Sequence, residues 1–134
     1  MSVPASTIAQ QLQHISAFAR FFTGREIAHL PAVIREGETI RGIVSGFHEG
    51  ATWLVVVTSE RLLFLDKGLI ANLRVVDMPL TEIQSISYET GFFTGTLTIR
   101  TGGGAKTVEK LWKEGTQMIA NVLSQALAET RRYR

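Results

Sequence analysis

The side chains able to do chemistry are few and scattered. Histidines stand at His14, His29 and His48. None has a second histidine or a carboxylate at a metal-ligand spacing on a helix. His48 and Glu49 fall in an expected turn, so each histidine reads as solvated. The chain has no cysteine, which removes disulfides, thiolate nucleophiles, Cys-ligated zinc and iron–sulfur clusters. The stretch TGGGAKT (101–107) only superficially resembles a phosphate-binding loop, because Arg100 and Ala105 hold the two positions where that motif needs glycine. It also joins two expected strands, so no helix N-terminus is available to an anion. Ser45, in Val-Ser-Gly, falls one position from Gly-x-Ser-x-Gly but within an expected strand. No pair of carboxylates sits in an apolar setting. The residues therefore point to no catalytic centre, no metal and no cofactor, and an enzyme is disfavoured.

Charge invites a different reading. Fourteen Lys and Arg against twelve Asp and Glu give a net +2. The excess is local: residues 100–134 carry seven bases and three acids, while the rest of the chain nets −2. Arg131, Arg132 and Arg134 complement the negative end of an expected C-terminal helix, and Lys110 and Lys113 precede its start. No aromatic ladder with interleaved bases accompanies them. The pattern argues against nucleic acid.

The elements that must position these residues follow from periodicity. In 134 residues, 45% hydrophobic and 19% charged, there is material for one folded domain. Residues 6–22 read as an amphipathic helix with Ile8, Leu12, Ile15, Phe18, Ala19 and Phe22 on one side, and 25–35 as a second short helix. From Glu38 the period changes to two. Strands are expected at 39–47, 51–59, 61–66, 71–78, 83–90, 93–101 and 105–110, separated by Gly, Pro and polar turns. A helix from 114 to 130 closes the chain, its stripe made by Met118, Ile119, Val122, Leu123, Ala126 and Leu127, with Trp112 just ahead to staple it to the sheet. The longest apolar run, Trp53 to Val57, falls far short of the roughly 20 residues of a membrane span. No secretory signal is legible in MSVPASTIAQQLQHIS, so the expected location is the cytoplasm. Seven antiparallel strands avoid bare edges by curling into a barrel or orthogonal sandwich, which the last helix would plug.

The run 58–104 resembles the bacterial pleckstrin-homology-like (PH-like) family, the YokE-like group in particular. The residues that carry this are Thr58, Arg61, Leu62, Leu63 and Phe64, the Asp66-Lys67-Gly68 turn, and Pro79, Leu80, Ile83, Ser85, Ile86 and Ser87. Gly95-Thr96-Leu97-Thr98-Ile99 adds to it, as do Leu30, Pro31, Ile34, Gly37 and Glu38 upstream. The resemblance spans roughly 26–127. It implies a seven-stranded PH-like barrel or orthogonal sandwich capped by a C-terminal helix, and a bacterial or phage origin. Eukaryotic PH domains that bind phosphoinositides use a basic cluster on the first two strands and the loop between them. Here that region offers Arg41 alone, with His48 and Glu49 in the loop. The donors a polyphosphate needs are missing.

Two apolar features remain unassigned. The PH-like fold does not require helices in front, so an N-terminal helical extension (1–36) is set apart from the PH-like domain (37–134). Ile8, Leu12, Ile15, Phe18 and Phe22 need a partner, either the chain's own barrel or another subunit. Phe92 and Phe93 lie at a turn between strands and form a second contact candidate. The expected function is a non-enzymatic interaction or scaffold module that binds protein, itself included as a homo-oligomer. The alternative is a peripheral-membrane adaptor lying on helix 6–22, whose one basic residue, Arg20, gives it little hold on a bilayer.

Overall fold

The computed structural model describes residues 33–48, 51–66 and 75–132. Seven strands appear in order: β1 Ile40–His48, β2 Ala51–Thr58, β3 Arg61–Asp66, β4 Val75–Pro79, β5 Ile83–Thr90, β6 Thr94–Thr101 and β7 Gly104–Trp112. A single 3-10 turn, Leu80–Glu82, joins β4 to β5, and one helix, α1 (Lys113–Arg132), ends the described chain. Neighbours pair antiparallel in the order β4-β3-β2-β1-β7-β6-β5. The sheet folds over so that side chains from both halves meet: Val44, Val55 and Phe64 share one core with Leu97, Ile99 and Val108. This is the PH-like architecture expected from the strand count and the closing helix.

Two glycines let neighbouring elements approach closely. A Cβ on Gly46 of β1 would overlap Val108 Cγ1 and lie 2.8 Å from Leu111 Cδ2, both on β7. A Cβ on Gly95 of β6 would overlap the Thr116 hydroxyl and lie 2.8 Å from its Cβ. Any larger side chain would wedge β1 from β7, or α1 from β6. The helix buries Thr116, Ile119, Ala120, Leu123, Ala126 and Leu127 and packs on β5, β1, β6 and the 3-10 turn. Met118 and Val122 line the edge of its stripe.

Hairpin chemistry is local. The Thr58 hydroxyl oxygen accepts the N–H groups of Glu60 (3.1 Å) and Arg61 (3.0 Å), a hydroxyl turn that reverses the chain between β2 and β3. At the glycine-rich β6–β7 turn, Thr101 Oγ1 accepts from Gly103 N–H and donates to the Gly104 carbonyl, both at 3.2 Å.

Several boundaries differ from the periodicity. The last strand runs two residues further than expected, through Leu111 and Trp112. Lys110 takes φ 56° where the β6–β7 register shifts, a bulge that hides the alternation beyond it. Trp112 therefore ends a strand, 45% exposed, and its carbonyl accepts the Thr116 hydroxyl at 2.8 Å. Pro79 lies inside β4 rather than after it; with β4 at the end of the strand order, a missing N–H costs nothing there. The helices read at 6–22 and over most of 25–35, and the first half of the strand read at 71–78, lie outside the described residues.

Candidate interaction surface

Gly91 opens the β5–β6 turn, and its N–H donates to the Thr94 carbonyl at 2.8 Å. The tight reversal leaves Phe92 and Phe93 at its tip, 93% and 77% exposed, with ring centroids 6.4 Å apart. The Phe93 carbonyl accepts the Lys113 N–H at 3.1 Å, which ties the tip to the start of α1. Trp112 precedes that N–H and pairs with Thr94. The two rings therefore stand on backbone held by hydrogen bonds at both ends. Two adjacent exposed phenylalanines on an anchored turn form an apolar projection rather than scattered surface carbon.

Beside the tip runs an edge. β5 ends the strand order, and seven of its eight residues are exposed or half-buried. Its Gln84 carbonyl accepts Arg131 Nη2 at 2.8 Å, so α1 covers one point of that edge. Of the sequence-derived surface, Phe92 and Phe93 are thus side by side. Ile8, Leu12, Ile15, Phe18 and Phe22 lie outside the described residues.

The ionic centre of the molecule was missed by sequence reasoning. Glu38, with its side chain 0% exposed, takes a two-pronged bond from Arg61, Nε to Oε2 at 2.8 Å and Nη2 to Oε1 at 2.9 Å. The Thr58 hydroxyl donates to Oε2 at 2.6 Å and the Arg35 N–H to Oε1 at 2.9 Å. Arg61 also donates to Asp77 Oδ2 (2.7 Å) and to the Val33 carbonyl (2.6 Å). Burial alone would raise the Glu38 pKa, but the bonds from Arg61, the Arg35 N–H and Thr58 outweigh it and hold the carboxyl below its ordinary value. The Glu38 hydrogen bond pushes the Arg61 pKa up, against desolvation. Both Glu38 oxygens accept two hydrogen bonds each from the fold itself, so the carboxylate clamps the start of β1 to β3. Thr58, Arg61 and Glu38 all stand in the motifs of the family resemblance, but nothing in their spacing shows that they meet.

His48 corrects the solvated reading. It is buried at the end of β1, with Nδ1 2.8 Å from the Thr107 carbonyl and its ring edge-on to Trp53 and Phe64 at 6.3 and 5.5 Å. Its own carbonyl accepts Trp53 Nε1–H at 3.0 Å.

The bases are spoken for in part. Arg41 pairs with Glu129 of α1 at 2.9 Å, at the opposite end of β1 from the β1–β2 connection. Lys110 Nζ sits 4.9 Å over the Phe47 ring. Among the described residues no group of three or more His, Asp or Glu could hold a metal, and no helix is long and apolar enough to cross a membrane.

Comparison with known proteins places these observations. The family model described as bacterial PH domain matches residues 34–124. The chain is similar to a solved pleckstrin-homology domain from Shewanella amazonensis SB2B, at 22% identity over 77% of this chain and 83% of that one, TM-score 0.47. It is also similar to a DUF1696-family protein with a pleckstrin-homology domain from Shewanella loihica PV-4, at 18% identity over 95% and 96% of the two chains, TM-score 0.47. No curated protein matches it.

Proposed function

The chain belongs to the bacterial PH domain family, whose model spans residues 34–124, and from that premise we propose that it is a non-catalytic interaction module that binds protein. The observation that carries this reading is the Phe92–Phe93 pair, held out at 93% and 77% exposure on a hydrogen-bonded turn. Exposed aromatic pairs are costly in water and are the residue types that anchor interfaces. The adjoining β5 edge offers backbone groups that a partner strand would use, with the phenylalanines filling pockets on that partner.

A second copy of the chain is the first partner to test, because one surface can then serve both sides of a two-fold contact. The proposed location is the cytoplasm, which a cysteine-free chain suits. Size-exclusion chromatography with light scattering is the experiment. Wild type should show a concentration-dependent rise toward the dimer mass, and Phe92→Ser/Phe93→Ser should stay monomeric. Wild type that stays monomeric at high concentration overturns self-association. Liposome binding that the double substitution abolishes would move the partner from protein to membrane.

A further inference from the structure

The two halves of the sheet differ on their outer faces. On β5–β6–β7 the outward residues include Ser87, Thr96, Thr98, Thr107 and Glu109, exposed or half-buried as a solvated face should be. On β1–β2–β3 the outward residues are Ile43, Leu54, Val56, Leu63 and Leu65, and all five are fully buried. They form a second core with Ile34 and Ile40, on the side of the sheet opposite to Val55, Val57, Leu62 and Phe64.

The described residues account for only one end of this burial. Arg61 holds the Val33 carbonyl, and residues 35–39 bond to Glu38, Ser59 and one another around the β2–β3 turn. Ile34 is therefore seated at the turn end of the face. Leu65 lies four residues up β3 from Arg61, about 13 Å away at ~3.3 Å per residue, and Leu54 is its cross-strand partner. A side chain at position 34 does not reach them.

We infer that residues 6–22 lie as an amphipathic helix on the outer face of β1–β2–β3 of their own chain, with Ile8, Leu12, Ile15, Phe18 and Phe22 against Leu54, Val56, Leu63 and Leu65. The clamp delivers that segment to the correct face, since the chain preceding Val33 starts from the seat of Ile34. Its length fits: seventeen helical residues span about 25 Å at ~1.5 Å per residue, and the nine residues of β1 about 30 Å. Opposite that stripe at helical spacing fall Gln10, Gln13, Ala17 and Arg20, a mainly polar face such as a helix covering a sheet presents to water. Both sheet faces are then closed by helices, and the five apolar residues are withdrawn from any contact between subunits. The inference stands apart from the role proposed for Phe92 and Phe93.

The natural absence of cysteine gives a clean test. Ser45 is half-buried on the same outer face, paired with Leu54. Ser45→Cys is combined in turn with cysteine at positions 8, 12, 15, 18 and 22, or at 10 and 13, in the full chain at low micromolar concentration under mild oxidation. At least one stripe position should close an intramolecular disulfide, read as a faster-migrating monomer, and positions 10 and 13 should not. Covalent dimers alone, equal reaction from both sets, or no reaction anywhere overturns the inference. NMR on the unsubstituted chain guards against misfolded variants. Phe18 or Phe22 ring protons should show nuclear Overhauser effects to the Leu54, Leu63 or Leu65 methyls; contacts from Leu69, Ile70 or Leu73 in their place overturn it.

Discussion

Removing the Glu38 carboxylate should cost the fold far more than an ordinary ion pair would. In Glu38→Ala the Arg61 guanidinium stays buried, its side chain 8% exposed, and loses both bonds to Glu38. The Thr58 hydroxyl and the Arg35 N–H lose their acceptor as well. Asp77 remains, but it is 38% exposed and bonds only Nη1 among the guanidinium nitrogens. Breaking one side of a buried pair costs about 3–5 kcal/mol, against a total stability on the order of 5–15 kcal/mol for a domain. With an m-value of about 1–3 kcal/mol per molar urea, the midpoint at neutral pH should fall by more than about 1 M. A loss under about 1 kcal/mol, the value of a surface pair, would refute the claim that this cluster is a desolvated clamp. The same residue carries a pH signature. The folded state holds the Glu38 pKa below its unfolded value, so between the two the unfolded chain binds more protons and stability rises with pH. The contribution is fully present above the ordinary carboxylate pKa of about 4.3 and is lost as pH falls through the depressed folded value. Glu38→Gln should lack that acid-side component; an unchanged acid limb would contradict the assignment.

Other substitutions test other parts of the account. Gly95→Ala drives a methyl into Thr116 and should cost about 1–3 kcal/mol; Gly95→Ala/Thr116→Ala should recover part of it, so a double-mutant cycle by urea melts reads a coupling that strict additivity would deny. His48→Ala removes the ring facing Trp53 and Phe64 and the bond to the Thr107 carbonyl; a loss of about 1–3 kcal/mol is expected, and thermal melts within error of wild type would restore the solvated reading. Phe92→Ser/Phe93→Ser should shift stability by no more than about 0.5 kcal/mol, which calorimetry checks; a large loss would make the pair part of the fold rather than a contact surface.

The sequence discloses those features whose cause is local. β3 and β5 begin and end where alternation and turn residues placed them, Arg61–Asp66 and Ile83–Thr90. The Phe92–Phe93 tip follows from Gly91 and the strands on either side. What needed coordinates depends on pairing across distance. Glu38 and Arg61 meet across 23 residues, and neither position looks different from a solvated charge in a string. His48 reads as part of a turn because Glu49-Gly50 follow it, while its burial depends on Phe64 and Thr107. β7 extends past Lys110 because a left-handed residue restarts the alternation, and no one-dimensional period survives that. Trp53–Val57 stands out in the sequence as an apolar run, but its burial on both faces of the sheet is seen only in the structure, and a run of apolar letters does not say which element covers each face.

The central claim is that the Phe92–Phe93 tip is a contact surface for a second copy of the chain, and NMR dilution of the labelled chain tests it most directly. As concentration rises, amide shifts should move progressively at Gly91–Thr94, at Trp112 and Lys113, and along the β5 edge, with the rest of the sheet still, and Phe92→Ser/Phe93→Ser should abolish the movement. Spectra invariant with concentration, or shifts confined to surfaces away from that tip, would contradict it.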